Sequence, residues 1–147
     1  MAASANRHFS RRYASRVFVW LAISIGGALG ALARWSVGEA VAFSLGESTF
    51  PWGTLIANVV GCVAIGVLAP LVIRHAAWVA GLVVTGFLGG FTTYSAFAEE
   101  TFVLLDRGDG QGIALAAVYV LVTITATSLA VVVGSRLAPV KFNEEPA

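Results

Sequence analysis

The feature that most constrains this 147-residue chain is a series of four apolar stretches, each long enough to cross a bilayer as a helix. A spanning helix needs about 20 mostly apolar residues, because the hydrocarbon core is roughly 30 Å thick. The four stretches cover residues 17–42, 51–73, 77–105 and 112–137. Hydrophobic residues make up 58% of the chain and charged residues 12%, proportions that exclude an ordinary soluble domain. We therefore predict an all-α integral membrane protein with four transmembrane helices.

The connections between these stretches are short, so successive helices are predicted to be antiparallel neighbours within one domain. We expect this transmembrane domain at residues 17–138, between polar tails at residues 1–16 and 139–147. The first stretch is too long for a signal peptide and lacks a small-residue cleavage site. The single cysteine, Cys62, excludes an intrachain disulfide and a cysteine-based metal cluster. A net charge of +1 gives no bulk attraction for nucleic acid.

Basic residues are unevenly divided between the two sides of the membrane. With four spans, both termini and the loop between the second and third helices share one side. That side carries seven basic residues: Arg7, Arg11, Arg12, Arg16, Arg74, Arg136 and Lys141. Only Arg34 and Arg107 lie elsewhere. The positive-inside rule therefore predicts that both termini face the cytoplasm.

Small residues recur at four-residue intervals on two of the predicted helices. Gly26, Gly30 and Gly38 follow this spacing in the first helix, and Gly53 and Gly61 lie eight residues apart in the second. Residues at this spacing share a helix face, and small side chains let another backbone come close. We expect these faces to be helix-packing surfaces.

Two polar residues interrupt the first and second apolar stretches. Arg34 is an ionised side chain near the end of the first helix, where it either extends to the membrane interface or serves a site. Asn58 lies well inside the second helix, where an unbonded amide would cost free energy. Asn58 therefore either bonds a neighbouring helix or lines a wet, ion-lined surface. Thr54 and Cys62 share its face at four-residue spacing.

The fourth helix carries a line of hydroxyl groups at Tyr119, Thr123 and Thr127, spaced four residues apart. Hydroxyls in membrane helices often bond the carbonyl one turn earlier, which is the alternative explanation for each of them. A row of neutral donors can also hold an anion by hydrogen bonds while leaving it free to move. This chemistry suits a small, hard anion.

The third apolar stretch contains "GFLGGFTTYSAFAEE" at residues 86–100, which predicts a break in the helix. Gly89 and Gly90 each cost about 1 kcal/mol relative to alanine in a helix, and the β-branched Thr92 and Thr93 add to this. Such backbone survives at membrane depth only where protein, water or an ion satisfies its polar groups. A broken helix can hold a cation on the carbonyls of its first half and favour an anion at the N-terminus of its second.

Two aromatic residues and two acids follow the predicted break. Tyr94 and Phe97 are three residues apart and share a face, where they either pack or present their positive ring edges. Glu99 and Glu100 fall in the first turns after the restart, where an acid complements the positive end of a helix.

Three segments resemble the signature segments of the CrcB/Fluc family of fluoride channels. They are "GGALGALARW" (residues 26–35), "FPWGTLIANVVGCVAIG" (residues 50–66) and "GFLGGFTTYSAFAEET" (residues 86–101). Their order, their spacing and the four-span plan agree over essentially the whole chain apart from the tails. The string Gly-Gly-x-Thr-Thr-aromatic-Ser-x-Phe is specific, and chance similarity between hydrophobic proteins would not reproduce it together with Gly-Thr-Leu-x-x-Asn.

The resemblance implies a fluoride-specific ion channel of the bacterial cell membrane, which exports fluoride passively and so reduces its toxicity, and which is not an enzyme. It also implies an antiparallel, dual-topology dimer. The matching fluoride-pathway residues are Arg34, Asn58, Tyr94, Ser95, Phe97, Tyr119, Thr123 and Thr127. A structural sodium ion, which is not transported, would bind the backbone carbonyls of Gly89 and Thr92.

Some features depart from the family pattern. Tyr94 replaces a common phenylalanine, and Ala96 stands where many members have threonine. The biased distribution of Lys and Arg favours a fixed orientation, and hence a heterodimer with a homologue of opposite bias, although a homodimer remains the alternative.

The alternative function is a small multidrug-type, proton-coupled exporter. Such a transporter needs an acid deep in its first helix, and the first acid here is Glu39, at the end of that helix. A third possibility is an accessory packing subunit without a pathway.

Overall fold

The computed structural model describes the backbone of residues 2–46 and 48–139 and the side chains of residues 16–46 and 48–139. All regular structure in this part of the chain is helical. Helix α1 spans Ala2–Leu45, α2 spans Trp52–Val72, α4 spans Ser95–Asp106 and α5 spans Gly110–Leu137. Helix α3, residues 77–91, joins an α-helical turn at Ala77–Ala80, a π-helical segment at Gly81–Leu88 and a final α-helical turn at Gly89–Phe91.

The prediction of four spans is confirmed, because four helical segments are long and apolar enough to cross a membrane. They are Arg16–Leu45, Trp52–Val72, Ala77–Asp106 and Gly110–Leu137. Helix α1 also continues backwards to Ala2, through residues that we predicted as a polar tail. The predicted C-terminal tail lies outside the described residues, apart from Pro139.

The turns between helices use glycine and a capping aspartate. Gly46, after α1, and Gly108, after α4, both have a φ of 68°, which a residue with a side chain rarely adopts. Their N–H groups bond Ala42 and Leu105, so each satisfies a carbonyl at the end of its helix. At the start of α5 the Asp109 carboxylate accepts a hydrogen bond of 2.6 Å from the Gly112 N–H.

Glycines bring α1 and α3 into backbone contact, as predicted from the spacing in the first helix. A Cβ added at Gly26 would overlap the carbonyl oxygen of Leu82, and one at Gly30 would overlap that of Phe87. On α3, a Cβ at Gly90 would overlap the carbonyl of Gly27. These helices therefore pack at a distance that only glycine allows.

A second pair of helices, α2 and α5, meets in the same way. A Cβ added at Gly134 would overlap the carbonyl of Val63, and a Cβ at Gly66 would lie 2.5 Å from the carbonyl oxygen of Val131. The prediction that Gly61 lies on a helix-packing surface is also confirmed, because a Cβ there would collide with the side chain of Thr92 at the end of α3. The fold is thus two glycine-packed helix pairs joined along α2 and α3.

The π-helical segment Gly81–Leu88 is a feature that the sequence analysis missed. It lies in the third span, directly before the Gly-Gly turn, and its last bond runs from the Gly89 N–H to the carbonyl of Val84. A π-helical turn holds more residues than an α-helical turn, so it changes the direction in which the following side chains point. The π-helical segment therefore affects the direction in which the side chains of the last turn of α3 point, directly before the break.

Candidate functional site

The third span is broken between Phe91 and Ser95, as predicted. Thr92 has an extended backbone, with φ −78° and ψ 150°. Tyr94 returns to helical values, with φ −92° and ψ −33°, and α4 begins at the next residue. No non-glycine residue in the described part of the chain has a positive φ. The break therefore needs no strained backbone, and its persistence depends on partners for its polar groups.

Asn58 of α2 supplies two of those partners. Its Nδ2 donates to the Thr93 carbonyl at 3.0 Å, and its Oδ1 accepts from the Thr93 N–H at 2.8 Å. Asn58 is buried, with 6% of its surface exposed. Of the two alternatives for this residue, a bond to a neighbouring helix is therefore present. The amide still has one N–H group beyond the one that bonds Thr93.

The carbonyls of Gly89 and Thr92 are among those that lose their helical partners at the break. In a continuous helix the Thr93 N–H would bond Gly89 O, but it bonds Asn58 instead. The Ala96 N–H would bond Thr92 O, but it donates to the Thr93 hydroxyl at 3.2 Å. Gly89 and Thr92 are the two residues whose carbonyls the family resemblance assigns to a cation.

Arg34 of α1 lies against the break. Its Nε donates a long hydrogen bond of 3.4 Å to the carbonyl of Gly90, and the residue is partly buried. The C-terminal end of a helix carries partial negative charge, so a guanidinium there stabilises the end of α3. In a continuous helix the Gly90 carbonyl would bond the Tyr94 N–H.

Glu100 of α4 joins the second and fifth helices through two short hydrogen bonds. One carboxylate oxygen accepts from the Thr54 hydroxyl at 2.6 Å, and the other accepts from the Tyr119 hydroxyl at 2.6 Å. Hydrogen bonds to an ionised group are shorter and stronger than those between neutral groups. We predicted Glu100 only as a partner for the helix N-terminus and missed this role. Glu100 lies three residues after Phe97 and so shares its helix face, which was the signal in the sequence for this role.

The predicted line of hydroxyls on α5 divides into three different environments. Tyr119 is fully buried and donates to Glu100. The Thr123 hydroxyl is buried and has no hydrogen-bond partner in the described part of the chain. Thr127 donates to the carbonyl of Thr123 at 2.7 Å, the local bonding that we gave as the alternative. The Thr123 hydroxyl is therefore the one whose donor is not used.

Aromatic rings lead from the break to the core. The Tyr94 and Phe97 rings have centroids 5.9 Å apart, and the Phe97 and Tyr119 rings have centroids 5.3 Å apart. Tyr94 is 80% exposed, whereas Tyr119 is completely buried. Ser95 is exposed beside Tyr94, and its hydroxyl lies 3.1 Å from that of Thr93. The ring pair thus connects an exposed face of the chain to the buried Tyr119 hydroxyl.

A cavity of about 760 Å³ opens beside these groups, where α1 ends and α2 begins. Thr54 and Glu100 contribute its polar wall nearest the break, and Phe50 and Trp52 contribute aromatic surface. The Phe50 ring meets that of Tyr119 edge-on, with centroids 5.5 Å apart. The cavity therefore reaches the Thr54–Glu100–Tyr119 hydrogen-bond network from one end of the helix bundle.

Comparison with known proteins agrees with the resemblance seen in the sequence. The family model described as "CrcB-like protein, Camphor Resistance (CrcB)" matches residues 21–135. A protein of Rhizobium leguminosarum bv. trifolii named "Fluoride-specific ion channel FluC" is 40% identical over 117 residues, covering 78% of this chain and 90% of its own. A protein of Rhizobium etli with the same name is 46% identical over 102 residues, covering 66% and 81%. The matched residues include α2, α3 and α4 in full and most of α1 and α5, and with them the break and the hydroxyl line, and the chain belongs to the CrcB family.

Proposed function

We propose that this protein is a fluoride-specific ion channel that exports fluoride passively from the cytoplasm and so reduces its toxicity. Relatives that cover most of this chain carry the name of a fluoride-specific channel. The observation that carries the proposal in this chain is the Thr123 hydroxyl, which is buried beside Tyr119 with no partner among the described residues. A buried donor without a partner costs free energy, and a small anion would satisfy it.

The proposed path uses weak donors in sequence, because conduction requires binding that is favourable but not tight. Fluoride would enter the cavity at Thr54, pass the hydroxyls of Tyr119 and Thr123, and meet the ring edges of Tyr94 and Phe97. Asn58, Ser95 and Thr127 complete the set of pathway residues. Arg34 would supply the nearby positive charge. A narrow path would exclude chloride, since a larger anion cannot have these donors around it at hydrogen-bond distance.

Glu100 has a specific place in this mechanism. Its carboxylate holds the Thr54 and Tyr119 hydroxyls, the same kind of donors that fluoride would use. An anion that approaches these hydroxyls therefore competes with Glu100 for them. We assign Glu100 the role of holding both hydroxyls beside the cavity until a fluoride ion replaces its carboxylate as the acceptor from one of them.

We further propose a structural sodium ion on the Gly89 and Thr92 carbonyls, with a second copy of the chain or a homologue as an antiparallel partner. Backbone carbonyls are ligands for hard cations, and both of these have lost their helical N–H partners to Asn58 and Thr93. Two carbonyls fall short of the roughly six oxygen ligands that hard cations take in proteins. A partner that contributes an equivalent pair would bring the site closer to that number. Fluoride flux should then depend on sodium, and equal flux with sodium or potassium on both sides would contradict this part of the proposal.

The orientation of the subunit is a separate question. The seven-to-two division of basic residues favours one fixed orientation, with both termini in the cytoplasm and an oppositely oriented homologue as partner. A reporter fused to the C-terminus, in cells that lack any homologue, should report the cytoplasmic side. Comparable signals from both sides would instead indicate a dual-topology homodimer.

The function is tested by fluoride efflux from liposomes that contain the purified protein, with chloride as the control ion. We expect fluoride efflux and no chloride efflux. Thr123→Val removes the unpartnered hydroxyl and should reduce the flux, whereas Thr125→Val changes an exposed side chain of the same helix and should not. No fluoride efflux by the protein alone or mixed with a paired homologue would refute the proposal.

One observation favours the second candidate, a proton-coupled multidrug-type exporter. Glu100 is an acid within the third span beside a cavity of about 760 Å³, and intramembrane acids can serve as proton relays, but the first helix lacks the deep acid that this class of exporter needs. That mechanism predicts transport of an organic cation driven by a proton gradient and abolished by Glu100→Gln. The channel predicts fluoride efflux with no imposed proton gradient.

A further inference from the structure

A second cavity, of about 410 Å³, lies where the first and third spans begin. It is lined by Arg16, Val19, Trp20 and Ala77. Arg16 directly precedes the apolar stretch of residues 17–42, and Ala77 is the first residue of the third span, so the cavity lies at the boundary between the hydrocarbon core and the headgroup region. Along α3, Ala77 is on the order of 20 Å from the helix break, which places this cavity apart from the proposed fluoride path.

The chemistry of this cavity is cationic and amphipathic. Arg16 is exposed and is the one charged residue among the described residues that line the cavity. Neither helix offers a nearby counterion, because residues 16–38 and 73–98 contain no aspartate or glutamate. A guanidinium matches the geometry of phosphate oxygens through parallel hydrogen bonds. The cavity therefore has a phosphate-binding group and no acid on these helices to neutralise it.

Two tryptophans lie at the level of this cavity. Trp20 lines the cavity and is 69% exposed, and Trp78 follows Ala77 and is 44% exposed. Tryptophan is enriched at the level of lipid headgroups, where its ring is apolar and its N–H is polar. Arg74 lies three residues before Ala77 and adds a second positive charge to this end of the helix. These features describe a surface in contact with lipid.

We propose that this cavity binds the headgroup of an anionic phospholipid, with its phosphate on the Arg16 guanidinium and an acyl chain along Val19 and Trp20. The chemical group that Arg16 would bind is a phosphate ester. A lipid is the occupant that fits both parts of the cavity, because the apolar wall begins at the charged group and continues along the membrane-spanning surface of α1. The proposal is independent of which ion the protein conducts.

The test uses tryptophan fluorescence, since two of the four tryptophans flank the cavity. Replacing the other two, Trp35→Phe and Trp52→Phe, leaves emission from Trp20 and Trp78. The protein is then placed in phosphatidylcholine vesicles that contain a minor fraction of brominated phosphatidylglycerol or brominated phosphatidylcholine. Bromine quenches tryptophan on contact, so brominated phosphatidylglycerol should quench more strongly at equal fractions.

Variants test whether Arg16 causes the preference for phosphatidylglycerol, measured as the stronger quenching by its brominated form. Arg16→Gln should lower the preference by about fivefold, the factor expected from one interfacial arginine. Arg16→Lys keeps the charge and should retain most of the preference. Arg107→Gln is the matched control, because Arg107 ends α4 at the opposite end of the third span, and it should leave quenching unchanged. Emission maxima matching those of the parent protein would show that each variant is folded.

Three results would overturn the proposal. The first is equal quenching by the two brominated lipids in the protein with Arg16 intact. The second is a preference that survives Arg16→Gln. The third is loss of the preference when inorganic phosphate is added but not when sodium chloride is added to the same ionic strength, which would identify free phosphate rather than a lipid as the occupant.

Discussion

Asn58→Ala tests whether one side chain keeps the third span broken. The substitution removes both hydrogen bonds to Thr93, at 2.8 and 3.0 Å, and leaves the N–H and carbonyl of Thr93 without those partners. Buried groups that lose a partner cost about 1–3 kcal/mol each, but interhelical hydrogen bonds in membrane proteins average about 0.6 kcal/mol. For two bonds we therefore expect a loss of roughly 1–3 kcal/mol in the free energy of unfolding.

The same variant should also change the backbone at the break. Once released, the Thr93 N–H has a partner available in the Gly89 carbonyl, four residues earlier, as in a continuous helix. Restoring that bond would withdraw the Gly89 carbonyl from the proposed sodium site and straighten the connection between α3 and α4. We therefore expect loss of fluoride efflux that exceeds any loss of folded protein.

Two measurements separate these effects. Unfolding in mixed micelles gives the free energy, and fluoride efflux from liposomes, normalised to folded protein, gives the flux. Cys62→Ala is the control, because Cys62 lies one turn further along the same face of α2 and is only partly buried. If Asn58→Ala changes stability no more than the control and leaves the flux intact, the reasoning about the break is wrong.

Two further pairs of variants test the packing and the hydroxyl network. Gly30→Ala should destabilise the fold by about 1–3 kcal/mol, since its Cβ would overlap the α3 backbone, whereas Gly38→Ala has no atom within 4 Å of the added Cβ and should be neutral or slightly stabilising. Thermal unfolding in detergent compares the two, and equal stabilities would contradict close packing of α1 against α3. Tyr119→Phe removes a donor to Glu100 and should cost about 1–3 kcal/mol and reduce fluoride flux. Tyr94→Phe removes a hydroxyl from an exposed ring and should leave stability unchanged, so similar losses in both variants would contradict the proposed network.

The parts of the fold that depend on hydropathy and local propensity could be predicted from the sequence. Length and apolar composition predicted the four spans, and the Gly-Gly-x-Thr-Thr string predicted the break. The π-helical segment Gly81–Leu88 could not be predicted in this way, because its residues are as apolar as those of an α-helical span. Gly86 within it packs against the α1 backbone, a contact between helices that the local sequence does not specify.

For the candidate site, the sequence predicted which residues share a helix face but not which residues meet across helices. Spacing placed Tyr94 and Phe97 on one face, and their rings are neighbours. Spacing could not show that Glu100 reaches Tyr119, because that contact joins α4 to α5. It also could not distinguish Thr123 from Thr127, since both lie on the same line but only Thr127 bonds the preceding turn. Contacts between helices require the packing of the whole bundle.

The break is specified by other helices rather than by its own sequence alone. Its polar groups bond Asn58 on α2 and Arg34 on α1, and only the Thr93 hydroxyl caps the restarting helix locally. Glycine and threonine make a continuous helix less favourable here by a few kcal/mol at most, which permits a break without imposing one. The broken form should therefore appear only once α1 and α2 are packed against α3. If this is correct, a peptide of residues 77–106 in detergent should be a continuous helix, and amide exchange at Thr93 should be slow there because its N–H bonds Gly89. In the intact protein the same amide should be slow because it bonds Asn58, and Asn58→Ala should accelerate its exchange only where the break persists.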